Sequence, residues 1–209
     1  MDIFPSVSTK NYAELRNEIK SGDILLCSGN SFFSNLIREA TQSVWSHVGF
    51  ILRVDHIDRI MLFESVESIG VRAVSLSSYL NNYNGTGQPY PGSMLIARHA
   101  DVKPENIKNL SRYAIDLLGS TYNTEEIIHI ASRISLCSMN GITHLAKQPP
   151  QRAFICSEYA YACFQSIGIE IEYGPLGFIT PADFARCQKV KALAFLGEKN
   201  KETSFINNT

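Results

Sequence analysis

The chain has 209 residues, of which 44% are hydrophobic, 10% aromatic and 19% charged. That hydrophobic fraction, with a formal net charge of -1, excludes intrinsic disorder and leaves no general field for gripping nucleic acid or anionic lipid. A chain of this size buries about 70% of its unfolded surface, which suits a single domain over 1–209, with a core over 20–197 and a polar, frayed tail over 198–209.

Residues 10–20 carry Tyr12, Leu15 and Ile19 at helical spacing and predict a short amphipathic helix, stopped by Ser21-Gly22. Residues 23–27 predict a buried strand. Gly29-Asn30-Ser31 predicts a turn, with Ser31 capping a helix whose apolar face is Phe32, Phe33, Leu36, Ile37 and Ala40. Between 47 and 54 the chain alternates. Val48, Phe50, Leu52 and Val54 share one face, and His47, Gly49, Ile51 and Arg53 the other. A polar turn over 55–58 and a returning strand over 59–66 complete a hairpin. Another strand is expected over 93–98. Pro104 opens a helix with the stripe Ile107, Leu110, Ala114, Leu117 and Leu118, closed by Gly119. Over 123–151, Ile127, Ile128 and Ala131 suggest at least one helical turn, and Pro149-Pro150 ends the segment. A helix over 154–167, stopped by Gly168, and a last strand over 190–196 follow. Strands at both ends with helices between them predict an α+β fold rather than βαβ alternation.

The amino terminus, Met1-Asp2-Ile3-Phe4-Pro5, lacks the basic start and long apolar stretch of a signal peptide, and no window is long and apolar enough for a transmembrane helix. The five cysteines, at 27, 137, 156, 163 and 187, are odd in number and scattered, which fits reduced thiols in a cytoplasmic setting. Glycine-rich phosphate loops, H-E-x-x-H, C-x-x-C and G-x-S-x-G are all absent, so phosphate, zinc and serine-hydrolase chemistry have no sequence support. No metal or organic cofactor is expected.

Cys156 stands in the first turn of the expected 154–167 helix and begins its buried stripe, followed by Ala160, Cys163, Phe164 and Ile167. Backbone N–H groups at a helix N-terminus stabilise a thiolate and can hold the oxyanion of an attacked carbonyl. Cys27, Cys163 and Cys187 read as plain core cysteines, whereas Cys137 in the 123–151 stretch could be buried or exposed. His47 begins a strand close to Gly49, a position open to a neighbouring group and suited to a general base. Glu64 lies in the apolar run Ile60-Met61-Leu62-Phe63, where a carboxylate needs a partner. An imidazole on the adjacent strand supplies one, and the carboxylate in turn fixes its tautomer. Each signal has a bland reading: a core thiol, a satisfied histidine, a glutamate facing out from an edge strand. Together they form a set of nucleophile, base and orienting group.

Ser46-His47-Val48-Gly49-Phe50-Ile51 resembles the histidine strand of NlpC-type papain-like cysteine hydrolases. Met61-Leu62-Phe63-Glu64-Ser65 resembles the strand carrying their third polar residue, and Phe154-Ile155-Cys156-Ser157-Glu158-Tyr159 their nucleophile helix. Because His47 precedes Cys156, the resemblance is to the circularly permuted, YiiX-like branch, which has related poxvirus proteins. Ser21-Gly22-Asp23-Ile24 and Thr180-Pro181-Ala182-Asp183-Phe184 are similar to its opening strand and to its segment after the cysteine helix, so the likeness spans about 21–185. Gly119-Ser120-Thr121-Tyr122 resembles the segment whose tyrosine helps form the oxyanion site, with threonine at 121 where the family has proline, which implies that role for Tyr122.

The resemblance implies a permuted papain-like α+β fold, an antiparallel sheet or small barrel packed against the cysteine-bearing helix. It also implies a cysteine hydrolase with Cys156, His47, Glu64 and Tyr122 as catalytic residues. The substrates implied are amides in small peptides, cell-wall-derived ones included. Acyl chemistry on lipids is the enzymatic alternative, and a non-catalytic ligand-binding domain that keeps the cleft is a third. Tyr79, Tyr83, Tyr90 and Tyr173 are candidates for lining that cleft.

Overall fold

The computed structural model describes residues 4, 7–123, 154–172 and 177–197, the side chains of Phe32 and Phe33 excepted. The expectations for 124–153, for Cys137 and Tyr173, and for the tail lie outside the described residues. Within them, a seven-stranded sheet carries the fold. Its strands are β1 (Thr9–Lys10), β2 (Ile24–Ser28), β3 (His47–Val54), β4 (Arg59–Val66), β5 (Gly70–Ser75), β6 (Ser93–His99) and β7 (Val190–Leu196). They are ordered β1-β7-β6-β2-β3-β4-β5. Every pairing is antiparallel except β1 with β7, which is parallel. The sheet is open, so of the two expected forms the molecule takes the sheet and not the barrel.

The helices are α1 (Tyr12–Leu15), α2 (Phe32–Thr41), α3 (Leu76–Asn81), α4 (Ile107–Asp116), α5 (Cys156–Gln165) and α6 (Pro181–Arg186). Helix α1 is much shorter than the 10–20 periodicity suggests. The Arg53 guanidinium of β3 donates to the carbonyls of Arg16 (2.6 Å) and Ile19 (3.1 Å), so these oxygens are satisfied outside a helix. Leu15 and Ile19 are buried regardless, which is why their spacing looked helical. The Ser31 cap is present, its hydroxyl accepting from Ser34 N–H at 3.2 Å. Thr180 and Asp183 cap α6 reciprocally: Thr180 Oγ1 accepts from Asp183 N–H (3.3 Å), and Asp183 Oδ2 from Thr180 N–H (2.7 Å).

Strand alternation sorts the core onto the two faces of the sheet. Val48, Phe50 and Phe63 pack with α5, whose Tyr159, Ala160, Cys163 and Phe164 are buried; α4 lies against α5. Leu25, Cys27, Ile51 and Leu62 face the opposite way, toward Leu15, Ile19, Leu76 and Tyr79. At about 25 cal/mol per Å² of apolar surface removed from water, these two clusters supply the main drive for folding. No helix among the described residues is long and apolar enough to cross a membrane.

Candidate active site

His47 is the first residue of β3, and Glu64 lies on β4, the next strand of the sheet. By strand parity both lie on the face opposite Phe50 and Phe63. The gap between these strands is close at Gly49, where a Cβ would stand 2.8 Å from the Phe63 carbonyl oxygen. Glu64 is fully buried, and the His47 side chain keeps 17% exposure. His47 Nε2 and Glu64 Oε2 are 2.7 Å apart. A carboxylate only accepts, so Nε2 carries the proton and Nδ1 is left free of Glu64; the Cys156 sulfur lies near enough to the ring to favour its charged form.

Cys156 is the first residue of α5, with Ile155 as its N-cap, and is 4% exposed. Its backbone N–H is among the N-terminal donors that lack an intrahelical partner. Two contacts hold this end of the helix. Ser65 of β4, one residue past Glu64, donates its hydroxyl to the Phe154 carbonyl at 2.6 Å. Ser157 donates to the Ile179 carbonyl at 2.8 Å. Phe154 N–H donates to the Thr121 carbonyl at 3.1 Å, which brings Tyr122 beside Cys156. Tyr122 and Cys156 share a pocket whose wall includes Leu36 and Ile37 of α2, Ile155, Phe178 and Ile179, with Ser157, Thr180 and Pro181. The four residues expected at the site thus come together at one end of the sheet.

Charge in this cluster is set by partners against burial. Burial favours a neutral His47 ring, but the Cys156 sulfur and the Glu64 carboxylate outweigh it and push its pKa up to about 10. Burial likewise favours a protonated Glu64, yet His47, Arg72 and Tyr79 hold its pKa below the ordinary carboxylate value. Burial and then the Cys156 charge push Tyr122 up, so it stays a phenol and a donor. The arrangement can therefore hold an imidazolium next to a sulfur nucleophile, with N–H and O–H donors nearby.

Two groups at Glu64 escaped the sequence reading. Arg72 Nε donates to Glu64 Oε1 at 2.8 Å, and the Tyr79 hydroxyl donates to Oε2. Tyr79, expected as a cleft-lining ring, is instead buried beneath Glu64, with Tyr90 stacked on it at 5.4 Å and Tyr83 edge-on at 4.9 Å. The signal that could have found Arg72 was the alternation Val71-Arg72-Ala73-Val74 after Gly70. A three-residue hairpin loop there puts Glu64 directly opposite Arg72. Among the other thiols, Cys27 and Cys163 are buried as expected. Cys187 is only half-buried, because it directly follows the last residue of α6 at the surface.

Comparison with known proteins agrees with this architecture. The family model described as permuted papain-like amidase enzyme, YaeF/YiiX, C92 family matches residues 18–140, more than half of the chain; the match includes His47, Glu64 and Tyr122 and ends before Cys156. The chain is 22% identical over 200 residues to "Probable lipoprotein peptidase YaeF" of Escherichia coli K12, covering 87% of this chain and 68% of that protein. It shares its fold with the crystal structure of "metalloprotein yiiX" from Escherichia coli O157:H7, at TM-score 0.59 and 16% identity, over 84% of this chain and 96% of that one. Among the described residues here, no group of three or more His, Cys, Asp or Glu gathers as metal ligands. The His-before-Cys order, the open sheet with its cysteine-bearing helix and the family match lead to one assignment: the chain belongs to the C92 family of permuted papain-like amidases and is a cysteine-peptidase or amidase-like hydrolase.

Proposed function

We propose that this protein cleaves an amide bond in a small peptide by a Cys156–His47–Glu64 mechanism, with peptides derived from cell walls among the candidate substrates. The observation that carries the reading is the His47 ring bonded at 2.7 Å to the buried Glu64 carboxylate, with the Cys156 sulfur close enough to raise the ring's pKa. In this mechanism Cys156 Sγ attacks the carbonyl carbon while His47 Nδ1 takes the thiol proton. The tetrahedral oxygen is held by the Cys156 N–H and the Tyr122 hydroxyl. His47 then protonates the leaving amine, leaving an acyl-thioester. A water that gives its proton to His47 hydrolyses the thioester. Glu64 fixes the ring and supports its positive charge through both halves.

A second reading has its own support. The pocket beside Cys156 is walled mostly by aliphatic and aromatic side chains, which suit an apolar group next to the scissile carbonyl better than a small zwitterion. An acyl hydrolase or acyltransferase acting on lipid would use the same three residues. Turnover measured on a panel of short peptides and of acyl esters and amides separates the two. Wild-type protein should turn over one class, and Cys156→Ala neither, while keeping the far-UV circular dichroism of the wild type. An inert wild type that binds panel members would make the protein a binding domain. A cytoplasmic setting is part of the same proposal and rests on the scattered thiols; the relative named a lipoprotein points elsewhere. Cell fractionation decides between them.

A further inference from the structure

We propose that Arg72 and Tyr79 are positioning residues that keep the Glu64 carboxylate ionised and turned toward His47, so that the thiolate–imidazolium pair can form. This rests on the triad proposed above and extends it by two residues. The two carboxylate oxygens are divided between different partners. Oε1 accepts from Arg72 at 2.8 Å, and Oε2 accepts from His47 at 2.7 Å and from Tyr79. Rotation of the carboxylate would break at least one of these bonds. The Arg72 side chain is 15% exposed, and its far end is tethered by Nη2 donating to Asn84 Oδ1 at 3.3 Å. Tyr79 is fixed from behind by the rings of Tyr83 and Tyr90.

The need for these partners follows from burial. Glu64 has no exposed surface, and an isolated buried carboxylate takes up a proton rather than stay charged. The titratable groups that face it are His47 from β3, Cys27 from β2, Arg72 from β5, Tyr79 from α3, and Tyr83 and Tyr90 from the segment between α3 and β6. Burial keeps Cys27 and the three tyrosines in their neutral forms. Arg72 is the permanent cation in this set, and His47 is charged only while it holds a second proton. With Arg72 removed, Oε1 loses its donor in a dry site. Glu64 should then protonate at higher pH and give up its support of the imidazolium.

Iodoacetamide alkylation of Cys156, resolved by mass spectrometry and followed against pH, tests this without a known substrate. In the wild type, Cys156 should react faster near neutral pH than Cys187, Cys27 or Cys163. In Arg72→Gln, the pH at which the Cys156 rate rises should move up by about one unit, equivalent to roughly tenfold slower labelling on that limb. Arg72→Lys, which keeps the charge, should restore most of the limb. Tyr79→Phe should shift it upward by less. A purely structural role for Arg72 would lower the melting temperature and leave the limb in place. A limb that stays put or moves down in folded Arg72→Gln overturns the proposal. If that variant does not fold, Tyr79→Phe decides on the same criterion. If wild-type Cys156 is no faster than Cys187, the triad itself fails, an outcome distinct from an unmoved limb.

Discussion

A glutamate and a glutamine have nearly the same shape, but at position 64 they cannot be exchanged quietly. All three neighbours of the carboxylate donate: His47, Tyr79 and Arg72. A glutamine must turn its amide N–H₂ toward one side or the other. Facing Arg72 it meets a donor with a donor; facing His47 it selects the wrong tautomer and leaves Tyr79 without an acceptor. Glu64→Gln should therefore lower turnover on the order of a hundredfold, the scale of a misplaced general base. The pH profile adds a sign. The Glu64 charge helps raise the His47 pKa, so its loss lowers that pKa, and activity should fall away at lower pH on the alkaline side. Stopped-flow or steady-state profiles of wild type and variant, both shown to be folded, check this; a fully active, unshifted variant would release Glu64 from any role.

At the level of elements, the site depends on how closely β3 and β4 approach. Gly49 is an ordinary strand residue with no need of a positive φ. What it supplies is room: a Cβ there would lie 2.8 Å from the Phe63 carbonyl oxygen, 2.8 Å from Leu62 Cδ1 and 3.3 Å from Glu64 Cβ. The carbonyl oxygen is backbone and yields only if β4 moves, while Leu62 Cδ1 ends a fully buried side chain with little room to turn. Gly49→Ala should cost about 1–3 kcal/mol, as overpacking does, even though alanine otherwise suits a strand better than glycine. Urea unfolding measures the stability, and the same variant should slow Cys156 alkylation because Glu64 is carried away from His47. An alanine variant as stable as wild type would mean that the strands can separate at no cost. The other strand of this hairpin also anchors the nucleophile, since Ser65 ties β4 to Phe154, 89 positions along the chain.

On the scale of the molecule, one sheet divides two apolar layers, and the charged cluster sits where their ends meet. Its contribution to global stability has a defined pH dependence. Glu64 titrates below its ordinary value in the folded chain. Its stabilisation is therefore complete above the usual carboxylate range, roughly pH 4.5, and is lost as pH falls through the lowered folded value. Asp23 acts in the opposite sense. Burial raises its pKa despite its bonds to Arg98, so its effect on stability grows more favourable as pH falls. The two are separated by a difference measurement. Wild type should exceed Glu64→Gln in unfolding free energy at neutral pH, and the gap should close below about pH 4.5. A gap that is constant with pH would show that the Glu64 charge adds nothing to the fold.

Much of this was readable from local pattern. Alternation over eight residues placed His47 on one side of its strand beside Gly49, and the apolar run around Glu64 marked a carboxylate in need of a partner. The apolar stripe behind Cys156 marked a core helix, and the order of histidine before cysteine marked the permutation. The strand and helix features among these are set within one strand or a few helical turns, where side-chain periodicity of 2 or 3.6 decides direction, whereas the permutation was legible only through the family resemblance. The structure corrected α1, whose buried residues mimicked a longer helix, and added β1, β5, α3 and α6. It also found the partners of Glu64. Arg72 meets the carboxylate only through the β4–β5 register, and Tyr79 only because α3 folds back under β4. Which donors satisfy a buried charge is decided by contacts between elements, and no spacing along the chain encodes them. The sequence by itself determined which residue types face inward and which chemistry they can do. Tertiary packing alone decided that the carboxylate stays charged, because only it sets the desolvation that opposes that charge and the partners His47, Arg72 and Tyr79 that together outweigh it.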